Sequence, residues 1–219
     1  MVFALTTFVG AVVGALVGAT AKKFNFEIDS QIVISRLKLT ILGIALGVSF
    51  AFLIRIRFSS WDLQVAYAIL CSGLILQTMI DALTHQLVRS VTHLIGVTGV
   101  LFLLISAIRA DSYGSIVAAL VCALASGFLF AVINKIAPGG LGGGDVRLVP
   151  VLGWYLGFLG YNEPVWAIFI ACLSASVIGV SLIAVGRGSL KRRLAFAPYL
   201  TLGTLVCIFL GDRLPRVFS

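Results

Sequence analysis

Long apolar runs alternate with short polar segments along the whole chain. Eight runs stand out, at 2–21, 39–54, 63–80, 90–108, 115–134, 146–160, 164–185 and 195–211. Their lengths approach the ~20 mostly apolar residues that an α-helix needs to cross a bilayer. Apolar positions are continuous within each run, which argues against a β-barrel, whose strands alternate lipid-facing and lumen-facing residues. The pattern predicts an all-α, polytopic membrane helical bundle of about eight transmembrane helices, forming a single domain over residues 1–219. The first run opens without Lys or Arg and is followed by Lys22 and Lys23. It is therefore read as a retained span rather than a cleaved secretory signal.

Composition agrees. Of 219 residues 60% are hydrophobic and 11% charged, against about 25% charged in a soluble domain. A net charge of +8 would suit a nucleic-acid binder, but its layout follows topology instead. Eleven of the sixteen Lys and Arg lie in, or flank, the loops after the first, third, fifth and seventh runs. Cytoplasmic loops collect basic residues. That side, with the polar segment 22–38 and Lys191-Arg192-Arg193, is read as cytoplasmic, and both termini as external. The partner expected from this layout is the lipid bilayer, and no nucleic acid. Residues 23–38 mix apolar and charged positions and suit an interfacial helix or a short hairpin. Cys71, Cys122, Cys172 and Cys207 stand isolated in apolar runs without CxxC spacing. They read as buried small hydrophobes, and no metal site or cofactor is expected.

With eight acids in the chain, each one can be placed. Glu27 and Asp29 fall in the polar stretch, Asp62 at the start of a span, Asp111 in a turn, Glu163 in Tyr-Asn-Glu-Pro and Asp212 in the tail. All six have solvated or helix-capping explanations. Asp81 ends the run AYAILCSGLILQTMI, and Asp145 opens the run VRLVPVLGWYLG, on the same predicted face. A carboxylate at membrane depth is costly and marks a functional site by default. Each alone also fits a bland role, Asp145 as a helix cap and Asp81 as an interfacial stop. The approach to Asp145 shifts that balance, because Gly-Gly-Leu-Gly-Gly-Gly (139–144) is more glycine than a cap requires. Gly142, Gly143 and Gly144 fit close backbone approach or movement. Two facing carboxylates share a proton, so one can take a proton from water while the other polarises an amide carbonyl. That is aspartic proteolysis. His85 and Arg89 follow Asp81 at four-residue intervals and share its face if the helix continues. Arg89, Arg147 and His85 are candidate electrostatic support, although interfacial contact with headgroups explains them, and His93, as well.

At these residues the chain resembles the type IV prepilin peptidases, a family of GxGD membrane aspartyl proteases. Gly142-Gly143-Gly144-Asp145-Val146-Arg147-Leu148 is similar to the family's GxGDxKL block, with Arg147 in place of Lys. Ile80-Asp81 at the end of a span resembles the first catalytic aspartate. Ala195-Phe196-Ala197-Pro198-Tyr199-Leu200-Thr201-Leu202-Gly203 resembles a block of the family's last helix. The three occur in the family's order across residues 62–211. Two departures stand out. No proline follows Asp81, where the family commonly has Ile-Pro or Leu-Pro. Residues 22–38 hold no cysteine, where larger members carry a CxxC-rich cytoplasmic domain. The resemblance implies a short-form peptidase in the cytoplasmic membrane of a prokaryote, with its active site facing the cytoplasm. Its catalytic pair would be Asp81 and Asp145, and Gly142–Gly144 would position substrate or let the aspartates approach. The implied substrate is a type IV pilin-like precursor, of a pilus or protein-secretion system, with a short basic leader, a glycine before the cut and an apolar helix after it. N-methylation of the product is not expected. Oligomeric state is left open.

Two rivals remain at this point. Intramembrane aspartates and glycine-broken helices also build transporters or channels, though no repeated motif relates the two halves. Presenilin-like proteases share the GxGD pattern but pair the first aspartate with a preceding tyrosine and carry a late Pro-Ala-Leu. Here Ile80 precedes Asp81 and the late block is Ala-Pro-Tyr-Leu.

Overall fold

The computed structural model describes residues 49–84, 86–137, 142–185 and 195–217. All regular structure among them is helical. After a helical stretch at 49–57 come α1 (Trp61–Thr84), α2 (Arg89–Arg109), α3 (Tyr113–Ile136), α4 (Gly143–Leu159), α5 (Asn162–Ala184) and α6 (Ala197–Leu210), then a 3₁₀ turn at Gly211–Arg213. Among the described residues, four segments are long and apolar enough to cross a membrane: Trp61–Asp81, Arg89–Arg109, Tyr113–Ile136 and Asn162–Ala184. They coincide with the expected runs 63–80, 90–108, 115–134 and 164–185. The runs 146–160 and 195–211 are helices α4 and α6, of 17 and 14 residues. The expected spans 2–21 and most of 39–54, and the polar segment 22–38, lie outside the described residues. The chain is thus an all-α, multi-pass membrane protein.

Two compact units divide the chain, Met1–Leu76 and Gln77–Ser219. In the first, the link between the 49–57 helix and α1 is held by local polar and ring contacts. The Gln64 amide nitrogen donates to the Phe58 carbonyl at 2.7 Å. The Phe58 ring stacks on Tyr67 with centroids 4.4 Å apart. Asp62, read as a possible helix cap, is buried in the first turn of α1.

In the second unit, helices meet where their side chains are small, as expected when lipid leaves no hydrophobic driving force between them. A methyl group on Gly157 would fall 2.6 Å from the Cys122 Cβ, and one on Gly153 would overlap the Ser126 hydroxyl. Those two glycines let α3 and α4 touch backbone to backbone. Gly127 lies opposite Pro150, whose ring removes one helical donor from α4. The Tyr155 hydroxyl donates to the Ile95 carbonyl at 3.0 Å, joining α4 to α2 over Gly99. Gly203 of α6 abuts the Ala167 backbone of α5. Asp111 adopts φ 49 in the turn between α2 and α3, a left-handed conformation that Asp tolerates. The outward faces of α3 and α5 carry exposed Phe128, Ile136, Phe169 and Val180, as lipid contact requires. Cys71, Cys122 and Cys207 are buried, whereas Cys172 is exposed on α5, contrary to the expectation of four buried thiols.

Candidate active site

Asp81 lies in the last turn of α1, 4% exposed. Its Oδ2 accepts the Ala197 backbone N–H at 3.2 Å. Ala197 opens α6, whose N-cap Phe196 makes no side-chain cap bond and whose next residue, Pro198, has no N–H. The first N–H groups of a helix lack internal partners and carry partial positive charge. A carboxylate reaching over from another helix answers both needs. One turn earlier in α1, the Thr78 and Thr201 hydroxyls meet at 2.8 Å.

Asp145 lies in the first turn of α4, ahead of the apolar run that starts at Val146, and is also 4% exposed. Its carboxylate accepts a backbone hydrogen bond from Gly142. An acid at the third helical position reaching back to the N-cap is the geometry of a capping box. The other oxygen, Oδ1, is buried without a hydrogen-bond partner among the described residues. Burial pushes the Asp145 carboxyl up to about 7, the Asp81 charge adds to the rise, and the Gly142 hydrogen bond opposes it. The two aspartates, 64 positions apart in sequence, thus sense each other directly. The C-terminal end of α1 meets the N-terminal ends of α4 and α6.

The three glycines before Asp145 are not equivalent. A methyl group on Gly142 would fall 2.8 Å from the Asp145 Oδ2. One on Gly144 would fall 2.7 Å from the Leu87 Cβ, while Gly143 has nothing within 4 Å. The spacing Gly-x-Gly-Asp therefore has a steric reading. The first glycine leaves room for the carboxylate, the second for the segment that follows α1, and the middle position is open. Gly139, Gly140 and Leu141 lie outside the described residues.

A sequence model of the type IV leader peptidase family matches residues 68–183, more than half of the chain. The chain belongs to the type IV leader peptidase family. Over 89 residues it is 37% identical to the prepilin leader peptidase/N-methyltransferase of Bacillus subtilis (strain 168), a match covering 40% of this chain and 35% of that protein. The chain thus spans about a third of the length of that relative. No solved structure matches it. The leader peptidase match contains both aspartates and all three glycines but ends before α6, which supplies the Ala197 N–H.

The expected support residues fare differently. Arg89 and Arg147 are exposed. His85 lies outside the described residues, and His93 is exposed. The continued helix that would align Asp81, His85 and Arg89 is not formed. Instead α1 stops at Thr84, residues 86–88 are irregular, and α2 begins at Arg89. Gln77, not singled out from the sequence, holds this break. Its Oε1 accepts the Val88 N–H at 2.9 Å and its Nε2 donates to the Thr92 hydroxyl at 2.7 Å. A lone amide in an apolar run, one turn before Asp81, was the available signal. Among the described residues no three His, Cys, Asp or Glu side chains gather into a metal-binding group.

Proposed function

We propose that this chain is a prepilin leader peptidase that uses Asp81 and Asp145 as an aspartyl pair at the cytoplasmic membrane face. The observation that carries the reading is the pair of buried, electrostatically coupled carboxylates contributed by separate helices in a leader peptidase family chain. Asp145 keeps the shared proton, its carboxyl pushed up to about 7 by burial and then by Asp81. Asp81 carries the charge, facing the Ala197 N–H and the positive end of α6. In the reaction Asp81 takes a proton from water. The resulting hydroxide attacks the scissile carbonyl, whose oxygen is polarised by the Asp145 O–H. Collapse of the tetrahedral intermediate breaks the C–N bond, and the leaving nitrogen takes up a proton from the pair. The substrate is a type IV pilin-like precursor with a basic, glycine-ended leader and an apolar helix. The relative in Bacillus subtilis is named for that substrate class. The methyl transfer in its name is not part of the proposal.

Co-expression with a prepilin tests this. Asp81→Ala and Asp145→Ala each abolish leader removal, read as a lost gel shift. Normal cleavage by either variant defeats the assignment. Proton flux in liposomes that depends on both aspartates, with no cleavage of any precursor, assigns the pair to transport instead.

A further inference from the structure

The segment between Asp81 and α2 contains no proline to set its turn. Its last two residues, Leu87 and Val88, nevertheless have defined partners. Gln77 is fully buried, one helical turn before Asp81 and on the same face of α1. Val88 is the N-cap of α2 and has an extended backbone (φ −80, ψ 112) with no side-chain cap bond of its own. Gln77 supplies the missing cap from another helix, accepting the Val88 N–H at 2.9 Å. Its amide nitrogen donates to the Thr92 hydroxyl at 2.7 Å, and that hydroxyl in turn donates to the Val88 carbonyl at 3.4 Å. The next residue back, Leu87, packs against the bare Cα of Gly144. Gly144 immediately precedes Asp145.

We infer that Gln77 is a positioning residue for the aspartate pair, acting through Val88 and Leu87 on Gly144. One end of this chain of contacts is rigid with Asp81, because Gln77 and Asp81 share a helix. The other end is bonded covalently to Asp145. The clamp therefore sets the separation of the two carboxylates without touching either. A buried amide with both its donor and its acceptor engaged has only one satisfied orientation, which suits it to this task. Loss of the Val88 bond frees Leu87 to withdraw, and Asp145 then drifts from its productive distance.

This inference rests on the peptidase reading for its activity arm but not for its structural arm. The test uses the full chain in detergent, with Gln77→Leu to keep side-chain volume, and Leu87→Ala. Gln77→Leu is expected to lower kcat for leader removal about 100-fold, the scale of a misplaced catalytic group, with KM nearly unchanged. Gln77→Leu combined with Leu87→Ala is expected to be no slower than the slower single variant, because both break one chain of contacts. Amide hydrogen exchange at 142–146 is expected to speed up in Gln77→Leu and to stay unchanged in the distant variant Cys172→Ala. Wild-type kcat and unchanged exchange in Gln77→Leu overturn the clamp, as does a double variant whose losses add. Faster exchange in a chain whose wild type cleaves no precursor upholds the clamp and removes the peptidase reading.

Discussion

Asp145 holds its proton to about pH 7 instead of the 3.8 of an ordinary aspartate. Burial disfavours its charged form, and the neighbouring Asp81 charge disfavours it further. The sign of the pH dependence follows. Below about 7 Asp145 keeps its proton; as pH rises through that value the proton that polarises the scissile carbonyl is lost. Leader cleavage should therefore fall as pH rises through that range. A kcat–pH profile checks this, and a rate that stays level well into alkaline pH rules out the shared proton. The glycines make a second prediction at this scale. Gly144→Ala forces a methyl group against Leu87, and overpacking of this kind costs about 1–3 kcal/mol. Gly143→Ala meets nothing within 4 Å and should be neutral or stabilising by up to about 1 kcal/mol. Thermal melts and cleavage assays of the two variants should separate them, with Gly144→Ala the impaired one.

Among elements, the α3–α4 contact depends on the absence of side chains. Gly153 and Gly157 face Ser126 and Cys122 at distances only a bare Cα allows. Gly157→Leu should separate the helices and lower the melting temperature in detergent. Because α4 carries Asp145 on its first turn, the same change should also reduce cleavage. A variant with an unchanged melt would show that the pair does not depend on this contact. The break between α1 and α2 was the element the sequence described least well. Continued helical periodicity across 81–89 was compatible with the residues, because nothing local stops a helix there. Across the break, the Gln77 side chain bonds Val88, a residue 11 positions away. A local window shows the lone amide but not the partner it reaches.

Over the whole molecule, the family match ends at residue 183, yet α6 completes the Asp81 environment through Ala197 and Thr201. A chain ending at 190 should reach the membrane but remove no leader, and co-expression of residues 191–219 should restore cleavage. Activity in the shorter chain by itself would show that α6 is dispensable. Helical class and the positions of six described helices were legible in the sequence, and Asp81 and Asp145 stood out in it as acids at the ends of apolar runs. Continuous apolar runs force the backbone to satisfy itself within helices, and charge is so costly in lipid that acids in such a chain are conspicuous. The tertiary structure alone decided that the two aspartates are neighbours, because coupling between charges depends on distance in space and not along the chain. It also showed that a side chain at 144 would meet Leu87 and one at 142 the Asp145 carboxylate, whereas one at 143 meets nothing within 4 Å. It placed Arg89 and Arg147 at the exposed surface and Gln77 in the interior, because only packing shows which polar group a fold has buried and bonded.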